Sequence, residues 1–279
     1  MTMRALPLLA PLALAALAAL AACGDNLTYV NDAPSAATVL ACAPNLDGVL
    51  TADEVPVVLD AQARFRVAAG AIPVNIDGVV GTDGRRRFFF AGAYAGEKLV
   101  GISGSKLASR WYSTSFPGAE FAAPIDVDGT LDGVYSRGTD GLRLHGFASP
   151  TEDPSEGKTL MVYDTPVLVL PLPLEVGSAW VSVARVVGAM LRGQPYAGSD
   201  RYEGVVAGAG ELRLPDLTFA SAFEVRTKVT VSPSSGIAVV KRQAGFYAEC
   251  FGEVARATGV DNEENASFTT AAEVRRFAP

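Results

Sequence analysis

The chain has 279 residues, with 23 lysines and arginines against 30 aspartates and glutamates, one histidine and three cysteines. A net charge of −7 argues against a nucleic-acid partner, which needs a basic face, and against electrostatic docking to anionic headgroups. One histidine is too few for a histidine-rich zinc or copper centre.

In chain order, the first feature is Arg4 followed by 18 uncharged residues, Ala5 to Ala22, made only of alanine, leucine and two prolines. A basic residue before an apolar run reads as a secretory signal. As a helix the run would reach only about 27 Å, barely a bilayer span, and Pro7 and Pro11 interrupt it. It ends in Leu20-Ala21-Ala22-Cys23-Gly24. This resembles the lipobox of bacterial lipoproteins. The resemblance implies cleavage before Cys23, a thioether-linked diacylglycerol on its sulfur and usually a third acyl chain on its amine. Gly24, where the family uses Asp for inner-membrane retention, implies the outer membrane. One acyl chain holds only marginally, at about 0.8 kcal/mol per methylene, whereas two or three make release negligible. The expected organisation is a signal peptide over 1–22, a lipidated tether and N-terminal segment over 23–54, and a single β-rich domain over 55–279. The mature chain keeps 257 residues, with 22 basic and 30 acidic, and no later stretch is apolar enough to span a membrane.

With Cys23 acylated, Cys42 and Cys250 remain, and an even pair in an oxidising compartment is expected to form a disulfide. Asn45-Leu-Asp47-Gly48-Val49 through Glu54 matches an EF-hand calcium loop from its third position onward, with Asn45, Asp47 and Glu54 as ligands. Its first position is Ala43 and Pro44 follows, so the ligand set is incomplete and a plain Asn-Leu-Asp-Gly turn is the competing reading. Asp126-Val-Asp128-Gly129 has the same flavour, but a hairpin turn accounts for it better.

From Val55 onward the pattern is β. Leu59 to Val67 alternates apolar and polar, the period of a half-buried strand. Asp77 to Gly84 reads as a turn before Arg85-Arg86-Arg87 and Phe88-Phe89-Phe90, and Glu97 to Ser103 as a strand. Asp-Gly turns at 128, 132 and 140 flank paired strands over 131–136 and 142–148. Strands follow at 160–163, 167–170, 183–191, 223–231, 237–240, 246–251 and 268–277, with Pro233-Ser-Ser-Gly236 as a turn. The expected class is mainly β: a curved antiparallel sheet or incomplete barrel with few or no long helices beyond the signal.

Two segments, Tyr163 to Trp180 with Pro171-Leu-Pro173 and Val176-Gly177, and Gly210 to Arg226, resemble β-rich envelope lipoproteins distantly similar to the lipoprotein-carrier half-barrel. That resemblance implies an incomplete antiparallel barrel around a helix or groove and carries no site residue with it.

Catalytic signatures are sparse. His145 is the sole imidazole base for a serine triad, and Gly101-Ile-Ser103-Gly-Ser105 misses the nucleophile-elbow pattern at its last position. No phosphate-binding glycine motif occurs. Arg85 to Arg87 reads as a solvated strand edge rather than an anion site. The expectation is a non-enzymatic envelope lipoprotein, membrane-bound through Cys23, that binds an acyl chain, lipid or partner protein on its curved sheet. The alternatives are a surface-displayed structural or adhesion domain and a hydrolase using carboxylates or His145. No cofactor is expected beyond the covalent lipid, with calcium as a weak candidate.

Overall fold

A computed structural model describes residues 42–279, which form one compact unit; Cys23 and the signal lie outside the described residues. The strands are β1 (Gln62–Pro73), β2 (Val79–Val80), β3 (Arg86–Phe89), β4 (Lys98–Ser103), β5 (Ser105–Lys106), β6 (Phe121–Pro124), β7 (Asp132–Gly138) and β8 (Gly141–Ala148). They continue as β9 (Leu160–Pro171), β10 (Ala179–Leu191), β11 (Gln194–Arg213), β12 (Thr218–Pro233), β13 (Val239–Ala248), β14 (Gly252–Gly259) and β15 (Thr270–Ala278). Among the described residues, helix is confined to three 3-10 turns, Ala52–Glu54, Leu107–Ser109 and Ser113–Ser115.

The strands make one sheet in the order β4-β1-β15-β14-β13-β12-β11-β10-β9-β8-β7-β6-β5, antiparallel throughout. The β2–β3 pair lies off this path, and β3 joins the end of β11 in parallel. The edge strands β4 and β5 are separated in sequence by Gly104 alone, so the chain steps from one edge of the sheet to the other. The twisted sheet therefore rolls into a nearly closed antiparallel barrel with one unsealed seam.

The inner face is read most easily on β11, where Asp200, Tyr202, Gly204 and Val206 are all buried, before a bulge turns Gly208 to the outer face under Arg86. They align with Val231, Val229, Thr227 and Val225 of β12. Two apolar clusters fill this side: one around Leu144, Met161, Tyr163, Val186 and Tyr202, the other around Leu50, Leu172, Leu174, Val206 and Phe223. Leu50 is fully buried and pairs with Leu174, so residues 42–54 pack as part of the compact unit. The predicted disulfide is formed: Cys42 and Cys250 are bonded with Cα atoms 5.5 Å apart.

The outer face is covered twice. Residues 74–97 cross β1 and β12–β15, where Phe88 and Phe90 insert beside Phe246 with ring centroids 4.9 and 5.0 Å away. The intervening Phe89 is half-exposed under the Arg213 guanidinium, at 5.4 Å. Residues 107–119 cover β6–β9 with Tyr112 and Phe116. Tyr112 donates to the buried Asp132 carboxylate at 2.7 Å, and burial pushes its phenol well up. The 74–97 flap is locked by Arg276, fully buried, which donates to the carbonyls of Phe90 (2.6 Å) and Gly92 and pairs with Glu97. Its guanidinium also sits 4.3 Å from the Tyr94 ring centre.

The strands differ from the sequence reading in particular places. The segments 160–163 and 167–170 are one strand, β9, which continues through Pro166 with register shifts against β8. The stretch 246–251 is the end of β13 plus a turn, followed by the unread β14. Asp132-Gly133, expected as a turn, lies within β7. At 204 the neighbour favours glycine: a Cβ would meet the Trp180 ring at 2.1 Å, and at 133 one would meet the Tyr135 hydroxyl at 2.5 Å.

Candidate functional site

The two flaps leave the outer face of β10 and of the first half of β11 bare. Here Val181, Val183 and Val187 are 55, 50 and 80% exposed, with the exposed Arg185 between the last two and nothing packed over them. The period of two that sends Ala184 and Val186 inward sends these valines outward. Beside them runs a groove of about 510 Å³, its lining mostly apolar. Ala179, Val181, Glu203 and Val205 form one wall, Arg226, Lys228 and Arg242 the other, with Ala266 from the 260–269 loop.

The groove's cations differ in what they hold. Lys228 pairs with Glu203 at 3.2 Å. Arg226 pairs with the buried Glu224 at 2.6 Å and with Asp77, and donates to Ser267 at 2.9 Å. Arg242 donates to the backbone carbonyls of Glu263 (2.9 Å) and Glu264 (3.2 Å), so no carboxylate offsets its charge among its hydrogen-bond partners. The groove thus offers an apolar floor with positive charge at its edge, the chemistry that suits an acyl chain with an anionic head.

Inside the barrel lies a second polar group. Tyr163 donates to Asp200 at 2.5 Å and lies 3.0 Å from the Tyr202 hydroxyl. Asp200 is 2% exposed, with no cationic partner, and one of its oxygens and the Tyr196 hydroxyl are buried without partners. Burial raises the Asp200 carboxyl, against the opposing bond from Tyr163, and raises the hydroxyls of Tyr163 and Tyr202. Across the interior, burial pushes Tyr135 up to about 12, in a field set by Arg256, Glu253, Asp132 and Arg275. The raised Asp200 has a signed consequence. The folded state holds its proton above the pH at which the unfolded chain releases it, so stability falls as pH rises through that window. Asp200→Asn should therefore stabilise the protein at pH 7 by about 1 kcal/mol, as a buried charge without a partner is removed. The gain should vanish below about pH 4, where both states are protonated. Urea midpoints at the two pH values check this, and a loss of stability at pH 7 would show that the ionised carboxylate is favoured in the fold.

The residues singled out from sequence are distributed as follows. Asn45 and Asp47 form a turn: Asp47 N–H donates to Asn45 Oδ1 at 3.0 Å, and Val49 N–H to Asp47 Oδ1 at 2.9 Å. Glu54 turns away to accept from the Thr51 backbone and hydroxyl, at 2.9 and 2.8 Å. The three side chains are not brought together, and no group of three or more metal-ligating side chains occurs among the described residues. His145 sits at a β-bulge in β8, and its Nε2 lies 2.7 Å from Ser136 Oγ. Burial lowers its imidazole, partly opposed by the Glu120 charge. The Glu120 carboxylate accepts from the Arg137 backbone at 3.3 Å, and neither Ser136 nor His145 lines the groove. Arg87 pairs with Asp83, Arg86 donates to the Asp77 carbonyl at 2.8 Å, and Arg85 contributes its backbone N–H to Asp83 at 3.1 Å.

The groove was not read from sequence. Its one available signal was the valines at 181, 183 and 187, which look like an ordinary strand until the absence of a covering segment is seen. In comparisons with known proteins, no protein family, curated protein or solved structure matches this chain.

Proposed function

We propose that this chain is a non-enzymatic lipoprotein of the bacterial envelope, anchored by acyl chains on Cys23, which holds an anionic amphiphile such as a fatty acyl chain on the outer face of its barrel. The observation that carries this reading is the apolar groove bordered by Val181, Val205 and Arg242 next to the uncovered valines. Burying apolar surface of the ligand there contributes about 25 cal/mol per Å² before the losses of association. Arg242 supplies the charge for the head group.

The test is binding of a long-chain fatty acid to purified protein, followed by calorimetry. Val181→Asp places a like charge in the wall at a 55% exposed position and leaves the core intact. It should weaken binding at least tenfold, the equivalent of about 1.4 kcal/mol. Equal binding by parent and variant removes the groove from the account.

A second reading, a structural or adhesion domain presented by the anchor, draws on the side chains that fill the barrel interior. It expects no amphiphile in protein taken from native membranes.

A further inference from the structure

One rim of the barrel is built differently from the other. At it β12 begins, β13 ends, β14 begins, β15 ends and β1 begins. Four phenylalanines meet there in successive edge contacts: Phe219 with Phe251 at 5.1 Å, Phe251 with Phe277 at 6.0 Å, and Phe277 with Phe65 at 5.9 Å. Phe251 is 49% exposed at the tip of this ladder and directly follows Cys250, which is bonded to Cys42. Leu46, 55% exposed, lies beside it, its backbone N–H donating to Glu249 at 2.9 Å. Val58, 62% exposed, stands next to the Leu59–Gly104 bridge at the same end of β1 and β4.

We propose that this rim is a membrane-docking surface: Phe251, Leu46 and Val58 enter the interfacial region of the bilayer that carries the anchor. The inference rests on the reading of Cys23 as acylated. Its carrier is where the covalent chain arrives. The 18 residues between Cys23 and Cys42 reach at most about 60 Å fully extended. Beside the disulfide the barrel is shorter: the 10-residue β13 and the 8-residue β14 lead from Cys250 to the far rim over about 33 and 26 Å. Contact by the far rim would draw on about half of the reach; contact by the disulfide rim needs almost none of it. Apolar and aromatic side chains at such a surface gain free energy by leaving water.

The far rim also exposes apolar side chains, Val187, Ile237 and Val260. Charge does not separate the two rims: the far loops carry Glu152, Asp153, Glu156, Asp261, Glu263 and Glu264, and the disulfide rim exposes Asp47, Asp53, Asp60, Asp140, Glu175 and Asp216. The disulfide rim is distinguished by the arrival of the anchored chain and by its phenylalanine ladder.

The experiment uses the full mature chain in vesicles of phosphatidylethanolamine and phosphatidylglycerol with brominated acyl chains. Phe251→Trp and Ile237→Trp each add an indole at an exposed position, and the parent's emission is subtracted. The expected result is that bromine quenches most of the added emission for Phe251→Trp and leaves that for Ile237→Trp unchanged. Quenching at the second position instead, or at neither, overturns the proposal. The mass of the N-terminal peptide is read on the same sample. An unacylated Cys23 with quenching at the first position sinks the anchor and keeps the rim. An acylated Cys23 without that quenching sinks the rim alone.

Discussion

Replacing Arg276 with alanine should lower the free energy of unfolding by about 3–5 kcal/mol, the range for breaking one partner out of a buried ion pair. The side chain is fully buried between the sheet and the 74–97 flap, and it is the single residue that ties both carbonyls of the flap's turn and Glu97 to β15. Alanine leaves Glu97 beside an apolar cluster with only the looser Arg66 contact at 3.4 Å, leaves two carbonyls without a donor, and opens a void among large side chains. Phe88 and Phe90 then lose the backing that holds them against Phe246. Arg276→Lys keeps the charge but cannot reach two carbonyls and a carboxylate at once, so it should recover only part of the loss. Urea unfolding of the three proteins measures this, and a loss under about 1 kcal/mol for the alanine variant would mean that the flap is held by its phenylalanines alone.

Removing the disulfide by Cys42→Ala with Cys250→Ala should cost about 2–5 kcal/mol, because it frees a closed loop of 208 residues in the unfolded chain. The loss should also be local. Without the bond, residues 42–58 are held at scattered points: the Leu50–Leu174 pairing, the Cys250 N–H to Glu54 carbonyl bond at 2.7 Å, the Asn45 and Leu46 N–H bonds to Glu249, and the Arg137 bond to the Ala52 carbonyl. Hydrogen exchange should therefore accelerate in 42–58 well before it does in β12 or β13. Uniform acceleration across the barrel would show instead that this segment is integral to the cooperative unit.

What could be read from the chain depended on which physical signal each element carries. Clean alternation located β12, where Phe223, Val225, Val229 and Val231 share one face and charged residues the other. Asp140-Gly141 located the β7–β8 hairpin, since few other pairs accept a tight turn. The longest strand, β11, stayed hidden. Its inner positions include Asp200 and Gly204 as well as Tyr202 and Val206, and a bulge then shifts the face at Gly208, so no apolar alternation shows. Gly204 makes sense only once Trp180 is seen lying over it. Curvature and an incomplete barrel were legible, but the place where the two edges of the sheet come round was not, because it depends on Gly104 carrying the chain from one edge to the other. At the level of sites, the Cys42–Cys250 bond followed from setting Cys23 aside as the acylated residue, which leaves an even pair for an oxidising compartment. The Ser136–His145 contact did not, since a bulge in β8 decides where the imidazole points.

An acylated Cys23 and a ligand-bearing outer face can both be read in one measurement. Protein extracted intact from native membranes is weighed whole and then after gentle removal of bound small molecules. The prediction is a chain that begins at Cys23 and carries two or three acyl groups, with one further amphiphile that leaves on mild treatment. A chain that still begins at Met1, or one with an unmodified cysteine and no released molecule, contradicts it.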